Sequence, residues 1–267
     1  MNLFKTRKFK LVILPIAVAV LALVIITAAR TAEADSKVRE LIIKIEPDTG
    51  LYFVSTNDVM DLINGGSSQS VKDRSIASIA PAYIEQQLKQ NPYVENCEAY
   101  STPYGSLTIK INQRAPVLRI INYYGQSYYL DKKGVKIPFS DKFSPHVLVA
   151  TGAILEKLTD STKVSSTILL QALMISEIIM KDKLWKAQFE QLYVDNSGDW
   201  LLIPRVGNHT IVIGKAEFLD EKFEKLRQFY ARALGSTGWD NYKCINLAFK
   251  NQVIGVRKET NDSNDVQ

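Results

Sequence analysis

Two histidines and two cysteines are all that this chain of 267 residues offers of the side chains that most often catalyse or bind metals. His146 stands in a Ser-Pro-His loop and His209 follows Gly207-Asn208, neither at a recognisable spacing from an activating partner. Cys97 and Cys244 are far apart and form no CxxC, so a zinc site has no support. In an oxidising compartment they could pair. The reading preferred here makes each a small buried apolar residue in a different domain. No Gly-x-Ser-x-Gly elbow, phosphate-binding glycine loop or HExxH occurs, and the acid pairs Asp58/Asp61 and Glu221/Glu224 read as solvated helix faces. Catalytic, cofactor and metal sites are therefore not expected.

An excess of one charge is also missing once the first ten residues are set aside. The net charge is +5, with 33 basic and 28 acidic residues. Lys5, Arg7, Lys8 and Lys10 carry four of those cations, leaving 29 against 28. A balanced remainder excludes a nucleic-acid partner.

Long apolar runs are scarce, and the one that exists governs the topology. Leu11 to Ala29 contains no charged residue. Nineteen residues at the helical rise span about 28 Å, close to a bilayer core. Cations on the preceding flank predict a cytoplasmic leader (1–10), a single membrane-spanning helix (11–29) and an extracytoplasmic remainder. A cleavable signal peptide ending near Ala32-Glu33-Ala34 is the alternative, but its apolar region would run only ~7–15 residues.

The remainder reads as two α+β regions. In the first, Val38 to Ile45 is a strand bounded by Pro47 and Gly50. Ser55 or Thr56 caps a helix from Asn57 to Ile63, and Ile76 to Gln90 forms a second helix closed by Pro92. Tyr93 to Ser101 and Ser106 to Arg114 are strands around Thr102-Pro103-Tyr104-Gly105. The order strand, helix, helix, strand, strand suits a small sheet with helices on one face. Beyond Ala115-Pro116, alternating apolar patterns and turns predict a β-rich region. Its strands are Val117–Asn122, Ser127–Leu130, Val147–Ala150, Phe189–Asp195, Asp199–Pro204, His209–Gly214, Tyr242–Phe249 and Gln252–Arg257. Helices are predicted from Ser165 or Ser166 to Met180 and from Glu217 to Leu234. Trp185, Trp200 and Trp239 suit core packing. The polar tail 259–267 reads as disordered.

Several stretches in this order resemble the FtsQ/DivIB family of bacterial cell-division proteins, in its Bacteroidetes form. Leu88-Lys89-Gln90-Asn91-Pro92-Tyr93-Val94-Glu95 is similar to the helix end and strand start of a POTRA domain. Leu107 to Val117, with Arg114-Ala115-Pro116, resembles the family's strand and domain junction. Tyr129-Leu130-Asp131-Lys132-Lys133-Gly134 resembles the turn that opens its β domain. Leu202 to Gly207, Lys222 to Leu226 and Ile245 to Phe249 resemble stretches further on. The resemblance implies a POTRA domain (37–115), an FtsQ-type β domain (116–258) and residence in the inner membrane at the division septum. The implied partners are FtsB-like and FtsL-like proteins, with other divisome proteins meeting the POTRA domain.

From pattern alone the last strand could be an ordinary edge or a docking edge, since unpaired backbone groups there invite another strand. The resemblance favours docking, with Phe249, Gln252, Val253, Ile254, Val256 and Arg257 as the contact residues. Arg114 and Pro116 are assigned to the domain junction, where proline fixes the backbone. A membrane-anchored periplasmic enzyme acting on envelope polymer is the alternative, with His146 or His209 beside a carboxylate.

Overall fold

A computed structural model describes residues 16, 18–24, 37–46, 50–64, 71, 74–75, 78–102, 104–234 and 241–258. Among them, Ile16 and residues 18–24 are helical, with their apolar side chains exposed. No helix of the described residues is long and apolar enough to cross a membrane. The expected leader (1–10), much of the expected span (11–29) and the tail (259–267) lie outside them. The remaining chain divides into two compact units after Gln113.

The first unit contains β1 (Glu40–Glu46), α1 (Thr56–Asn64), α2 (Pro81–Lys89), β2 (Val94–Ser101) and β3 (Ser106–Gln113). Its sheet has the order β1-β3-β2, with β1 parallel and β2 antiparallel to β3. Period-two alternation in β3 buries Leu107, Ile109 and Ile111 fully, and Val59, Ile63, Ile84 and Leu88 are the buried residues of the two helices. Ser55 and Asp58 start α1 as a reciprocal cap. The Asp58 N–H donates to Ser55 Oγ (3.2 Å) and the Ser55 N–H to Asp58 Oδ2 (2.9 Å). At α2 the structure corrects the expected start at Ile76. Pro81 occupies the first turn, where its missing N–H costs nothing and its ring disfavours helix before it.

The second unit carries nine strands in one sheet, ordered β12-β11-β10-β9-β8-β7-β4-β5-β6. They are β4 (Pro116–Ile121), β5 (Ser127–Asp131), β6 (Lys136–Pro138), β7 (Leu148–Gly152), β8 (Phe189–Val194), β9 (Trp200–Pro204), β10 (Thr210–Gly214), β11 (Tyr242–Asn246) and β12 (Ile254–Arg257). The pairs β4/β7, β7/β8 and β10/β11 are parallel and the rest antiparallel. One face packs on α3 (Thr167–Lys181), α4 (Lys183–Gln188) and α5 (Leu219–Phe229). Leu118, Ile120, Ala150, Leu192, Leu202, Ile211 and Ile245 meet Leu169, Ala172, Ile175, Phe223 and Leu226 in a single core. Trp185 stacks on Phe189 at 5.5 Å and meets Phe223 and Tyr230 edge-on, which joins α4, β8 and α5.

Several expectations need correction in this unit. Strand β6 and helix α4 have no counterpart among the expected elements. β6 is three residues long with a proline, tolerated because it is the sheet's edge. Helix α5 begins at Leu219 and gives way to a π turn at Tyr230–Leu234. Strand β11 stops at Asn246 instead of Phe249, because the Asn246 side chain accepts the Ala248 N–H (2.8 Å) and turns the chain. The last strand is Ile254–Arg257, shorter than Gln252–Arg257.

A buried ion pair fixes how this unit closes. Lys136 of β6 lies 2.8 Å from Glu156, with side-chain exposures of 1% and 4%. The Glu156 carboxylate accepts the backbone N–H groups of Ser165 (3.1 Å) and Ser166 (2.8 Å), and Ser166 caps α3 by accepting from the Leu169 N–H. The Lys136 ammonium also donates to the Lys157 carbonyl, and Tyr128 OH donates to the Glu156 carbonyl. Burial opposes ionisation of Glu156, but these donors outweigh it and hold the carboxyl down at about 2.

Candidate partner-binding edge

The nine-stranded sheet has two edges, and they are finished differently. At β6 the edge is covered. Lys136 N–H donates to the Thr162 carbonyl (2.9 Å), Val135 bridges Lys163, and Pro138 has no donor to offer. At β12 no strand lies on the outer side among the described residues.

Strand β12 is held on its inner side only. It pairs antiparallel with β11, from Asn246↔Ile254 to Tyr242↔Arg257. Just past its end, Lys258 N–H donates to the Asn241 carbonyl (3.0 Å). Alternation along a strand then turns the backbone groups of Ile254 and Val256 toward β11 and those of Val253, Gly255 and Arg257 outward. Ile254 and Val256 are 37% and 46% exposed, two apolar side chains on one face of an open edge. Gly255 fits under Tyr242, where a Cβ would come within 2.6 Å of the ring. Arg257 is exposed.

The other residues assigned to the site lie off the strand. Phe249 is 47% exposed in the turn between β11 and β12, Gln252 is exposed after it, and Val253 packs partly against the core. Lys225 of α5 pins that turn by donating to the carbonyls of Phe249 and Lys250. At the other assignment, Arg114 donates to the buried Asp131 carboxylate (2.6 Å), whose second oxygen accepts from Lys133 and Val135 N–H. Pro116 is the first residue of β4, opposite Asp131.

The histidines do not assemble a reactive centre. His146 lines a cleft of about 390 Å3 with Thr151, Gln191, Glu190 and Arg205; its Nε2 faces the Arg205 guanidinium at 3.1 Å, and the Glu190 carboxylate of the same cleft lies 3.9 Å from that guanidinium. His209 is buried with Nε2 3.3 Å from Tyr230 OH. No cluster of potential metal ligands occurs among the described residues. Both cysteines are free thiols, and burial pushes Cys97 up to about 11 and raises Cys244 as well, which leaves them poor nucleophiles.

A βααββ module is thus followed by a β-rich unit whose sheet is covered at β6 and has no strand outside β12 among the described residues. Residues 36–112 match the POTRA-like domain, and residues 115–256 match the family described as FtsQ/DivIB, C-terminal related. The second match covers more than half of the sequence, and the chain belongs to the FtsQ/DivIB family. Cell division protein FtsQ of Rhodothermus marinus is 23% identical to it over 198 residues, 71% of this chain and 69% of that protein. The family is one of non-enzymatic proteins, which sets aside the envelope-enzyme alternative.

Proposed function

We propose that this chain is a bitopic inner-membrane scaffold of the bacterial divisome, with its POTRA domain (37–115) and β domain (116–258) in the periplasm. On this reading the leader is cytoplasmic and residues 11–29 span the membrane. The family membership and the cell-division protein of Rhodothermus marinus support a role in division. The proposed partners of the β domain are FtsB-like and FtsL-like proteins, and other divisome proteins meet the POTRA domain. Holding them would help to localise and regulate septal peptidoglycan synthesis. Anchorage of scaffold and partners in one membrane raises their effective concentration, so a modest interface suffices.

The observation that carries the reading is the β12 edge, with no strand outside it among the described residues, in a sheet whose other edge is covered. An incoming strand would pair with the outward groups of Val253, Gly255 and Arg257 and lay its side chains against Ile254 and Val256. The test is a pull-down of the full-length chain in detergent with the co-encoded FtsB-like protein, wild type against Arg257→Pro and Ile254→Glu. Arg257→Pro removes an outward donor while the inward bonds of Ile254 and Val256 remain. Loss of binding by folded variants supports the site, normal binding moves it elsewhere, and no binding by wild type refutes the partner.

A further inference from the structure

We propose that the surface where the β11–β12 turn meets the start of α5 docks an acidic, extended segment of a protein partner, with Phe218 as its apolar anchor. The site adjoins β12 but stands on its own observations, so it goes beyond the edge reading above.

Phe218 is the one non-glycine residue with positive φ among the described residues (φ 52°, ψ 39°). That conformation is costly for a residue carrying a Cβ. It occupies the N-cap of α5, where a Ser or Asp side chain would accept a backbone N–H and Phe offers nothing. The residue is 60% exposed, so burial returns little for the strain. Local folding gives no reason for phenylalanine at this position, and binding does.

The surroundings specify what would bind. The Lys250 ammonium stands 5.6 Å from the centroid of the Phe218 ring, and Phe249 next to it is the second exposed aromatic of this surface. Between turn and helix lies a depression of about 260 Å3, lined by Lys215, Lys222, Lys225 and Lys250 and by Asp199, Glu217 and Glu221. Lys215 already pairs with Asp199 at 3.0 Å. Lys222 is 6% exposed and donates to two neutral acceptors, the carbonyls of Ile213 (2.9 Å) and Lys215 (2.8 Å). Among the described residues no carboxylate reaches ion-pair distance of it. A buried ammonium that makes no direct ion pair is unfavourable, and burial lowers its pKa although the charges of Glu217 and Asp199 act in the other direction. A carboxylate entering the depression would supply that pair, while the three acids lining it disfavour a dianion such as phosphate. A carboxylate beside an apolar side chain, on an extended segment, matches these features.

The experiment places the photoreactive residue benzoylphenylalanine at position 218, and separately at 254, in the full-length chain in its own cells. We expect a protein adduct at 218 whose attached peptide contains Asp or Glu next to an apolar residue. Lys250→Glu should cut that adduct at least about fivefold, as charge reversal at a complementary contact does. With the probe moved to 249, Phe218→Gly should lose the adduct while raising the urea midpoint, because it relieves the backbone and removes only exposed surface. An adduct at 254 with none at 218 overturns this proposal and leaves the edge reading intact. An adduct at 218 with none at 254 upholds this site and overturns the edge, and none at either position overturns both. An adduct to lipid, to the chain itself, or to a peptide without acidic residues, or one indifferent to Lys250→Glu, overturns the proposal.

Discussion

Removing the charge of Glu156 should unfold the β domain far more easily than its place in a loop suggests. The carboxylate is 4% exposed, lies 2.8 Å from Lys136 and takes the N–H groups that begin α3. Its pKa falls from an ordinary 4.5 to about 2 on folding. That gap corresponds to about 3 kcal/mol of stability linked to the ionised form. Because the folded value is the lower one, the contribution is fully present above about pH 4.5 and disappears as pH falls toward 2. Glu156→Gln keeps the shape but leaves the Lys136 ammonium, 1% exposed, without its counter-charge, a change that costs about 3–5 kcal/mol. Lys136→Met with Glu156→Gln removes both charges and should recover part of the loss, since a buried pair can be replaced by apolar atoms at small net cost.

Urea unfolding followed by tryptophan fluorescence reads this unit selectively. Trp185 and Trp200 are buried in its core, and the first unit contains no tryptophan. The single variant should shift the midpoint strongly and the double variant less than the sum of the singles. Wild type should lose stability between about pH 5 and 3, and Glu156→Gln should lose less over the same interval. A midpoint for Glu156→Gln within about 0.5 kcal/mol of wild type, or strictly additive singles, would refute the account of this pair.

Gly152→Ala should be among the most damaging single changes: its φ is +102° and a Cβ would sit 2.0 Å from the Val194 carbonyl oxygen, so a loss of about 3 kcal/mol or more is expected by urea unfolding. Asp131→Ala should cost about 2–4 kcal/mol in the same assay, because it removes a buried carboxylate that pairs with Arg114 and accepts from the N–H groups of Lys133 and Val135. Gly255→Ala forces a Cβ to 2.6 Å from the Tyr242 ring, so β12 should lift from β11. Hydrogen exchange should then rise at 254–258 with the amides of β8 and β9 unchanged.

How much of the fold is legible in the sequence follows from which forces are local. Leu107, Ile109 and Ile111 alternate with polar residues, so β3 and its buried face are plain from the pattern alone. Ser165-Ser166 before an apolar stripe locates the start of α3 to within one residue, with Ser166 the cap. Elements that owe their form to partners distant in sequence are not readable in this way. β6 exists because Lys136, an unpromising strand residue, is buried against Glu156 twenty residues later. Asn246 ends β11 through its own side chain, a signal present in the sequence but indistinguishable there from a polar residue in a strand. Phe218 gives no signal at all, since left-handed geometry at a phenylalanine follows no local preference.

The same distinction explains why an edge can be recognised from sequence only by half. Being last in the chain makes Ile254–Arg257 a candidate, but the bland and the functional readings predict the same apolar alternation. Topology adds what the pattern lacks, because it shows what lies on the outer side of each strand among the described residues. At β6 the segment from Ser161 to Val164 returns alongside and occupies the outward groups, so that end is closed against further pairing. At β12 the chain holds the strand from within, through Asn241 and the Lys225 anchor on the turn, and leaves its outer groups unpaired among the described residues. Under the proposed function, an edge braced from behind in this way would meet a partner in a fixed geometry. Preorganisation of this kind lowers the ordering cost of adding a strand, so under that proposal Arg257→Pro and Ile254→Glu should weaken binding more than comparable changes at the covered β6 edge.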